Sequence, residues 1–469
     1  MNIDRRRLFA ALSGAATAGA ATPARAWHDG QRAPAARAES IPALRDAGPR
    51  SSIDAATLGL RPNAVDDQSK AFQRAIERAA NARAILLLPP GFYRAGALQL
   101  PPFAAIAGVP GATRVLLAGG PSMMSANGAD HISLSGLVLD GNGIPLPERH
   151  GLVHLSQAHS VRIGDCEIVK SGGNGIALEG VEGEVTGNTI SAGEAGVFSI
   201  DARGLRIAGN TVRGAGNGGI LVWRSAPGDD GTLVVDNRIE DISAKSGGSG
   251  QWGNAVNVFR AGNVIVRGNR IRNAAFSAVR GNRASNLQIV GNTCTKLGEV
   301  ALYAEFGFEG AVIANNIVDG ASVGISVTNF NEGGRLAVVQ GNLIRNLVAG
   351  RPPENDQSDT DALGIGIEAD TVVSGNVVEN VQGTGIAAGW GQYLRDVAVS
   401  ANIVRGADFG ITVSVVPGAG AAVIADNLIS EVRRGAIVGM EWKKPVTGDL
   451  SKDGAARYAQ LSIGGNRVR

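Results

Sequence analysis

The chain alternates apolar and polar residues in short segments, and one segment pattern returns about a dozen times. The segment usually ends in Gly-Asn or Asp-Asn, followed by one further residue and an aliphatic residue, as around Asn188 and Asn210. The pattern recurs around Asn237, Asn269, Asn292, Asn316, Asn342, Asn376, Asn402, Asn427 and Asn466. Successive asparagines are 22 (188 to 210) to 39 (427 to 466) positions apart. A short period with occasional insertions predicts a solenoid of stacked repeats.

A second alternating segment follows within each repeat and begins with a Gly-Ile pair. Examples are 175–178, 219–222, 324–327, 364–367 and 410–413. Alternation sends every second side chain inward, but segments this short are unstable alone. Stacking pairs each strand with its copies and buries one continuous core. A repeat of this length holds about three strands, which predicts an all-β fold, a single-stranded right-handed parallel β-helix.

The recurring asparagines are predicted to be structural. The turn after the first strand needs a residue that tolerates a left-handed φ, and Asn is the best choice after Gly. Asn side chains stacked at one corner can also hydrogen-bond along the axis as a ladder. We therefore exclude these asparagines from any active site.

The first residues predict an export signal. Arg5 and Arg6 form a twin-arginine pair, a weakly apolar stretch covers 8–21, and Ala-Arg-Ala at 24–26 is a cleavage site. The alternative is a basic tail ahead of an Ala-rich helix. Because the three parts occur in the right order, we predict that 1–26 is a twin-arginine signal peptide.

The segment between the signal and the repeats is expected to form a lead and a cap. Residues 27–50 are rich in Ala, Arg and Pro and are predicted to be a flexible lead. Residues 51–130 are expected to hold the N-terminal cap and the first, irregular coils, and 131–469 the β-helix repeats. Asp66 to Ser69 can cap a helix running to about Ala82, with apolar residues on one face.

A buried strand at 84–88 follows this helix and ends in Pro-Pro-Gly-Phe-Tyr. A capping helix and such a strand resemble the entry of pectin-lyase-like β-helix proteins, and the resemblance covers nearly the whole chain. Combined with Arg5 and Arg6, the sequence most closely resembles a family known only as twin-arginine-translocated uncharacterised repeat proteins. This resemblance implies a β-helix exported to the periplasm or secreted, and no particular activity.

Composition excludes two classes of partner. A formal charge of +2 over 469 residues gives no indication of nucleic-acid binding. After the first 30 residues the sequence has no run of 18 apolar residues, so no membrane contact is expected after cleavage.

Cys166 and Cys294 lie about five coils apart, roughly 24 Å at about 4.8 Å per coil. That separation exceeds the roughly 7 Å that a disulfide spans, so we expect unlinked structural thiols.

The motifs of known β-helix polysaccharide enzymes are missing from the sequence. Gly-Asp-Cys at 164–166 is a fragment of the polygalacturonase Asp-Asp motif, and the dipeptide that begins at His150 precedes it, in the wrong order. The Asn-Thr-Asp and Arg-Ile-Lys motifs, the pectate-lyase arginines and the Asp-Pro-His-Asp of uronate epimerases do not occur. His150, His154 and His159 fit no metal-binding spacing and are expected to be surface or turn residues. No metal site is predicted.

The outward positions of the Gly-Ile strands align into a stripe of polar and aromatic side chains. Insertions border it on both sides, at 243–253 and 347–362 before the strands and at 224–232, 328–335 and 442–460 after them. The predicted catalytic residues of this stripe are Arg280, Tyr303, Glu305 and Glu368. The predicted substrate-binding residues are Trp223, Asn257, Asn282, Trp252 and Trp390.

The stripe suggests chemistry on sugars. Aromatic faces suit sugar rings. An Arg at 280 can pair with a uronate carboxylate, and Tyr303 beside a cation can transfer a proton, which would suit β-elimination. Glu305 and Glu368 lie two coils apart, roughly 10 Å, near the upper end for an inverting carboxylate pair. The alternatives are tryptophans that cover the core and a solvated ladder of ion pairs.

One further segment has candidate metal ligands. Residues 354–361 are rich in oxygen ligands and could hold Ca²⁺, although their spacing is undefined. A disordered acidic loop is the preferred interpretation, and no cofactor is predicted.

The sequence thus predicts an exported β-helix protein that acts on a cell-envelope or extracellular polysaccharide as a lyase or hydrolase. A non-catalytic carbohydrate-binding protein or a structural repeat protein are the alternatives. The expected partners are the polysaccharide and, through the signal peptide, the export machinery.

Overall fold

Three parallel sheets run along a right-handed β-helix. The structure, a computed structural model, describes residues 51–247, 250–350 and 361–469. Each coil contributes one strand to sheets A, B and C in turn, and each strand pairs with the coil before and the coil after. The fold class predicted from the sequence is confirmed, and the predicted signal and lead lie outside the described residues.

Sheet A has 16 strands among the described residues, all paired in parallel. They are Ser52–Asp54, Ile85–Leu87, Ala105–Ala107, Ser133–Ser135, Val161–Gly164, Gly183–Thr186, Arg206–Ala208, Leu233–Val235, Ile265–Arg267, Leu287–Val290, Glu309–Ala314, Arg335–Gln340, Ala369–Ser374, Arg395–Ser400, Ala422–Ala425 and Leu461–Gly464.

Sheet B has 15 strands in the same part of the chain, also parallel. They are Gly91–Ala95, Thr113–Leu117, Val138–Asp140, Glu167–Ser171, Thr189–Ala192, Thr211–Arg213, Arg238–Ile242, Arg270–Ala274, Thr293–Leu297, Ile317–Ala321, Leu343–Leu347, Val377–Val381, Ile403–Arg405, Leu428–Ser430 and Arg467–Val468.

Sheet C has 15 strands within the described ranges, and the last of them pairs antiparallel. They are Leu98–Gln99, Met124–Asn127, Gly151–Ser156, Asn174–Glu179, Ala195–Ile200, Gly218–Asp229, Asn254–Gly262, Val279–Asn282, Val300–Glu305, Val323–Val327, Leu363–Ile367, Thr384–Ala388, Phe409–Ser414, Gly435–Glu441 and Lys444–Asp449.

A single hydrophobic core fills the coils from end to end. In sheet C its inward residues are the isoleucines of the Gly-Ile pairs, such as Ile176, Ile220 and Ile325, which are inaccessible to solvent. Removing apolar surface from water stabilises the fold by roughly 25 cal/mol per Å², and each coil alone is too small to exclude water. The stacking predicted from the repeat is therefore the source of stability.

A ladder of asparagine side chains connects sheets A and B at one corner. The Oδ1 atom of Asn210 accepts from both the backbone N–H and Nδ2 of Asn188, at 3.0 and 2.9 Å. The Nδ2 group also donates to the carbonyl of Ile163 at 2.9 Å. The side-chain contact repeats coil by coil up to Asn466. The predicted ladder is confirmed.

The prediction that these asparagines themselves adopt a left-handed φ is wrong. The left-handed φ belongs to the residue before each ladder Asn, for example 68° at Gly187 and 57° at Asp236. The position needs Asn because a carboxamide both accepts from a buried N–H and donates to a buried carbonyl. A glycine could satisfy neither group.

The two cysteines are buried and unlinked, as predicted. Cys166 occupies the first position of the ladder, where its N–H donates to Asn188 Oδ1 at 3.0 Å. Burial raises the pKa of the Cys166 thiol to about 11 and that of Cys294 to about 12. Both thiols therefore stay protonated at neutral pH.

Both ends of the helix are capped. The predicted N-terminal helix is Ser69–Asn81, which starts beside Asp67, whose Oδ1 accepts from the N–H of Ser69 at 2.9 Å. Its buried face includes Phe72 and Ile76. Two short 3-10 helices are also present, Ala55–Leu58 and Phe330–Glu332. Among the described residues no helix has the length and apolar character needed to cross a membrane.

Two features of the ends differ from expectation. The coils between 105 and 140 are regular, because their strands pair in the same three sheets, so residue 131 marks no change of fold. The expected groove wall at 442–460 is partly a C-terminal cap: Lys444–Asp449 turns back against Gly435–Glu441, and the helix Leu450–Asp453 packs beside it. Terminal caps of this kind protect open strand edges.

We predict that Asn292→Ala destabilises the helix. Oδ1 of Asn292 accepts from the N–H of Asn269, and Nδ2 donates to the carbonyl of Val266, both at 3.0 Å. The variant leaves both backbone groups buried without a partner. Each such group costs about 1–3 kcal/mol, so the free energy of unfolding should fall by about 2–6 kcal/mol. Urea denaturation followed by far-UV circular dichroism measures this.

The exposed Asn331 provides the matched control. Asn331→Ala should change the free energy of unfolding by less than about 0.5 kcal/mol. Equal effects of the two substitutions would show that the ladder contributes no special stability.

Candidate functional site

The predicted stripe lies on the outer face of sheet C in the predicted register. Paired positions are Asn257 with Arg280, Arg280 with Tyr303, Phe259 with Asn282, and Asn282 with Glu305. Trp223 lies in the coil before that of Phe259 and pairs with it. Glu368 follows Ile367, which is paired to Val327. Alternation and coil alignment therefore predicted the neighbours correctly.

The expectation that this stripe faces solvent is wrong for its charged members. The side chains of Arg280 and Glu305 are only 5% and 2% exposed. Asn257 and Glu368 are buried as well. Alternation predicts on which face of a strand a side chain lies, but it does not predict what packs over that face.

The insertion at 243–253 provides the cover. A Cβ atom at Gly250 would lie 2.7 Å from the guanidinium carbon of Arg280, so the backbone there rests directly on the guanidinium. The carbonyl of Gly250 accepts from Nδ2 of Asn254 at 2.7 Å and from Nδ2 of Asn257 at 3.0 Å. The backbone at Gly250 thus lies on top of the stripe, where the sequence predicted a wall beside it.

A buried ion pair forms the centre of the stripe. Nε and Nη2 of Arg280 donate to the two carboxylate oxygens of Glu305 at 2.7 and 3.1 Å. Nδ2 of Asn282 donates to the same carboxylate at 2.9 Å. A carboxylate oxygen of Glu299 lies 3.8 Å from Nη1 of Arg280. The charge of Arg280 is therefore balanced within the protein.

These surroundings determine the protonation states. Burial alone would lower the pKa of Arg280, but the charges of Glu305 and Glu299 outweigh it and raise the pKa. Burial, and then the charge of Glu305, raises the pKa of Tyr303, whose ring lies 5.1 Å from the guanidinium. Tyr303 therefore keeps its proton at neutral pH, which disfavours it as the base of a β-elimination.

Glu368 is held by a backbone hydrogen bond from an insertion. Its Oε2 atom accepts from the N–H of Phe330 at 2.7 Å, at the start of the 3-10 helix Phe330–Glu332. The guanidinium of Arg395 lies 4.3 Å above the ring of Phe330. Glu368 thus fixes the 328–335 insertion onto the sheet.

Aromatic rings cluster at one end of the stripe. The ring of Trp223 lies 5.4 Å from Phe198, 5.8 Å from Trp252 and 5.9 Å from Phe259. Its indole N–H donates to Oδ1 of Asn257 at 3.1 Å. Trp223, Trp252 and Phe259 are half-buried, so this cluster keeps part of its apolar surface in contact with water.

A second aromatic cluster lies further along the helix, in the turns that follow the sheet C strands Thr384–Ala388 and Gly435–Glu441. The rings of Trp390 and Trp442 are 5.6 Å apart, and Tyr393 lies 6.4 Å from Trp442. A Cβ atom at Gly391 would lie 2.4 Å from the indole of Trp442, so only glycine lets the ring occupy this place. Trp442 is 44% exposed. From the sequence, Trp442 is expected in the 442–460 insertion and is not among the predicted site residues.

A cleft of about 560 Å³ opens where sheet C turns into sheet A. Asp201 and Arg224 line it, together with Asp230. Asp201 accepts from the N–H and the hydroxyl of Ser225 at 2.9 and 2.8 Å, which fixes the 224–232 insertion. From the sequence this insertion is predicted only to wall the groove, although Arg224 and the adjacent Asp229 and Asp230 are a usable indication of a polar site.

The inner wall of the cleft has unsatisfied polar atoms. The Asp230 side chain is fully buried, and its Oδ2 atom has no hydrogen bond but lies 3.9 Å from Nη1 of Arg224. Nε of Arg224 also has no hydrogen-bond partner. Burial raises the pKa of Asp230. Such groups are costly to bury, so the cleft retains unused hydrogen-bonding capacity.

Two imidazole rings lie on the outer face of sheet C in an early coil. The ring centroids of His150 and His154 are 4.3 Å apart. Both side chains are half-buried, in partial agreement with the expected surface or turn position. Within the described ranges no group of three or more His, Cys, Asp or Glu side chains could hold a metal ion. The segment considered for Ca²⁺, 354–361, lies outside the described residues apart from Asp361.

Comparison with known proteins supports the fold. Residues 118–256 match the model of a family described as periplasmic copper-binding protein (NosD). No curated protein sequence matches the chain significantly. The match of residues 118–256 agrees with membership of the β-helix superfamily. Neither finding identifies the family of twin-arginine-translocated repeat proteins.

Several solved structures are similar to the chain. The N-terminal fragment of bacteriophage Phi29 gene product 12 is 16% identical, with a TM-score of 0.50 over 82% of this chain and 68% of that one. The pre-mature form of the same protein is 15% identical, with a TM-score of 0.50 over 89% and 56%. The catalytic unit of an α-1,3-glucanase from Streptomyces thermodiastaticus is 17% identical, with a TM-score of 0.46 over 89% and 68%. At these identities the likeness concerns the fold alone.

We predict that Arg280 stabilises the fold, whether or not it also has a functional role. Arg280→Met leaves the carboxylate of Glu305 buried without its cation, which should lower the free energy of unfolding by about 3–5 kcal/mol. The double variant Arg280→Met with Glu305→Leu removes both charges and should be clearly more stable than the single variant. Chemical denaturation of each variant measures the difference.

The exposed pair of Arg345 and Asp319, 2.9 Å apart, is the control. Arg345→Met should cost at most about 1 kcal/mol. If the single and double variants at 280 and 305 were equally unstable, the buried charge would not be the cause of the loss.

Proposed function

We propose that the outer face of sheet C and the cleft at its edge recognise a polysaccharide of the cell envelope or the extracellular medium. The observation that carries this proposal is the presence of two solvent-accessible aromatic clusters, one around Trp223 on the outer face of sheet C and one around Trp442 just beyond the strand ends of the same sheet. Five coils separate the strands Asn254–Gly262 and Thr384–Ala388, or about 24 Å at roughly 4.8 Å per coil. Only an extended ligand could contact both clusters.

The chemistry of the face fits sugars. Aromatic rings such as Trp223 and Trp442 offer flat apolar surfaces with little entropy to lose. The cleft beside the first cluster offers the carboxylate of Asp201 to accept hydroxyl protons and the guanidinium of Arg224 to donate. A polymer lying along the sheet could stack on the rings and place one unit in the cleft.

Binding is better supported than catalysis by the stripe. Arg280 and Glu305 are occupied with each other, and the pKa of Tyr303 is raised. The predicted lyase or hydrolase roles of Arg280, Tyr303, Glu305 and Glu368 remain predictions. The cleft keeps the hydrolase alternative open, because burial, and to a lesser degree the charge of Asp201, raises the pKa of Asp230.

We infer that the protein is exported. The name of the family matched by 118–256 refers to the periplasm, which supports the same location for this chain. Membership of the twin-arginine-translocated repeat family is part of this proposal. The polysaccharide and the export machinery would then be the two partners of the protein.

Copper is a second candidate ligand. The matched family bears the name of a copper-binding protein, and the matched stretch of this chain contains His150 and His154. Imidazole nitrogens suit copper. The buried Nδ1 atom of His154 has no hydrogen-bond partner among the described residues, and this is the observation that favours the candidate.

We predict that Trp442→Ala weakens polysaccharide binding by about 0.5–1.5 kcal/mol, the scale of one aromatic contact. The experiment screens the purified protein against a panel of polysaccharides by calorimetry. Reducing ends and the absorbance of unsaturated uronates, recorded in parallel, distinguish a hydrolase, a lyase and a binder. Phe103→Ala is the control, because Phe103 stacks on His131 in an early coil, away from both clusters. Equal affinity of both variants and the parent would remove this face from consideration.

Export has its own test. Replacing both Arg5 and Arg6 with lysine should retain the protein in the cytoplasm, because the twin-arginine pair is the part of the signal that the machinery recognises. Fractionation of cells followed by immunoblotting measures the distribution. An unchanged periplasmic yield would contradict the twin-arginine route.

A further inference from the structure

A second, smaller cleft adjoins the first where sheet C turns into sheet A. Its volume is about 320 Å³, and its walls come from the 224–232 insertion and the two coils that follow. Asp229 lines both clefts, so the two are neighbours along the helix. Arg260 and Arg283 also line the second cleft, and their two positive charges outnumber the one negative charge of Asp229. We call it the basic cleft.

The two arginines occupy equivalent places in successive coils. Arg260 directly follows Phe259 and Arg283 directly follows Asn282, and these two preceding residues are paired. The arginine backbones are therefore roughly 4.8 Å apart, the spacing of neighbouring strands. Neither Arg260 nor Arg283 forms an ion pair with any described residue. Because neighbouring like charges are destabilising, an anion between the two side chains would stabilise this arrangement.

The guanidinium of Arg260 is held in place but only partly used. It lies 4.7 Å above the ring of Phe259, and its Nη1 atom donates to the carbonyl of Ser225 at 2.8 Å. The buried Nε atom has no hydrogen-bond partner, and Nη2 has none within the described ranges. Phe259 itself belongs to the first aromatic cluster, since its ring lies 5.9 Å from that of Trp223. Arg260 therefore presents unused donors directly beside that cluster.

The polar floor of the basic cleft leaves these positive charges uncompensated. Oδ1 of Asp229 accepts from Nδ2 of Asn263 at 2.7 Å, and Oδ1 of Asn263 accepts from Nδ2 of Asn286 at 2.9 Å. The carboxylate of Asp229 is thus engaged by an amide instead of by a guanidinium. The hydroxyl oxygen of Ser285 accepts from the N–H of Glu309 at 3.1 Å, so its own hydrogen remains available to a ligand.

This set of donors suits an anionic oxygen group. The planar fork of a guanidinium matches the geometry of oxygen anions such as carboxylate and phosphate. Hydrogen bonds between ionised partners are about twice as strong as those between neutral ones. A neutral sugar unit would leave the charges of Arg260 and Arg283 side by side without compensation. The basic cleft should therefore distinguish acidic sugar units from neutral ones.

We propose that the basic cleft binds the anionic group of an acidic sugar unit, and that Arg260 and Arg283 select it. This inference rests on the proposed recognition of a polysaccharide and specifies the charge of the polymer, which carries carboxylate or sulfate groups. It requires nothing from Arg280, whose charge is already balanced by Glu305.

The test compares three polymers that share one backbone: dextran, carboxymethyl-dextran and dextran sulfate. Calorimetry with the purified full chain measures affinity at about 0.15 M ionic strength, where charges further than roughly 8 Å apart are largely screened. The parent should prefer at least one charged polymer over dextran, and the preferred polymer distinguishes carboxylate from sulfate. Arg283→Gln should reduce that preference by at least about 10-fold, the lower end of what one charge-assisted hydrogen bond contributes.

Two further variants separate a specific site from general attraction. Arg260→Lys keeps the charge but loses the planar fork, so it should also lower the preference. Arg270→Gln is the matched control, because Arg270 is an exposed arginine of the sheet B strand Arg270–Ala274 and has no ion pair with a described residue. This control should bind all three polymers like the parent. Far-UV circular dichroism should show the parent's fold in each variant.

Three outcomes would overturn the basic cleft as an anion site. They are equal affinity of the parent for charged and neutral dextran, an unchanged preference in Arg283→Gln, and an equal loss in Arg270→Gln. Binding of a neutral polymer from the panel, together with any of these results, would leave the proposed function standing. A failure of the parent to bind any polymer would contradict both.

Discussion

The asparagine ladder is the constraint on which the rest of the molecule depends. At the corner between sheets A and B, each coil buries a backbone N–H that no strand can pair. The carboxamide of the next coil satisfies it, as Asn210 does for Asn188. Because Asn210 accepts from the N–H of Asn188 and donates to the carbonyl of Val185, both in the preceding coil, a slip of a single residue would leave both groups unpaired. The ladder therefore sets the register of every coil.

This register explains how much of the site could be predicted from sequence. Where no insertion intervenes, the neighbours across coils follow by counting from the aligned asparagines. Arg280 does pair with Tyr303, and Asn282 with Glu305. The inward and outward faces follow from alternation. Residues that repeat are thus predictable, since each copy repeats the same physical requirement.

What does not repeat could not be predicted in this way. Gly250 lies in an insertion that occurs in one coil, so no second copy indicates that its backbone covers Arg280. Once water is excluded there, two charges must balance each other, because an uncompensated buried ion is costly. Arg280 and Glu305 became a structural pair through this cover. The cleft near Arg224 was missed for the same reason, since it also depends on one insertion.

The location of the insertions then accounts for where binding groups accumulate. From Ser133–Ser135 onward, the turn from sheet A to sheet B has two residues in every described coil, because the ladder closes that corner. Extra residues fit only before and after sheet C, where 243–253 and 224–232 occur. Each such insertion brings side chains to the same sheet face, including Trp252 and Arg224. Because the ladder fixes one corner of the β-helix, insertions in the described coils occur only around the opposite sheet, sheet C. The aromatic clusters, the cleft and the pair of His150 and His154 are therefore all found there.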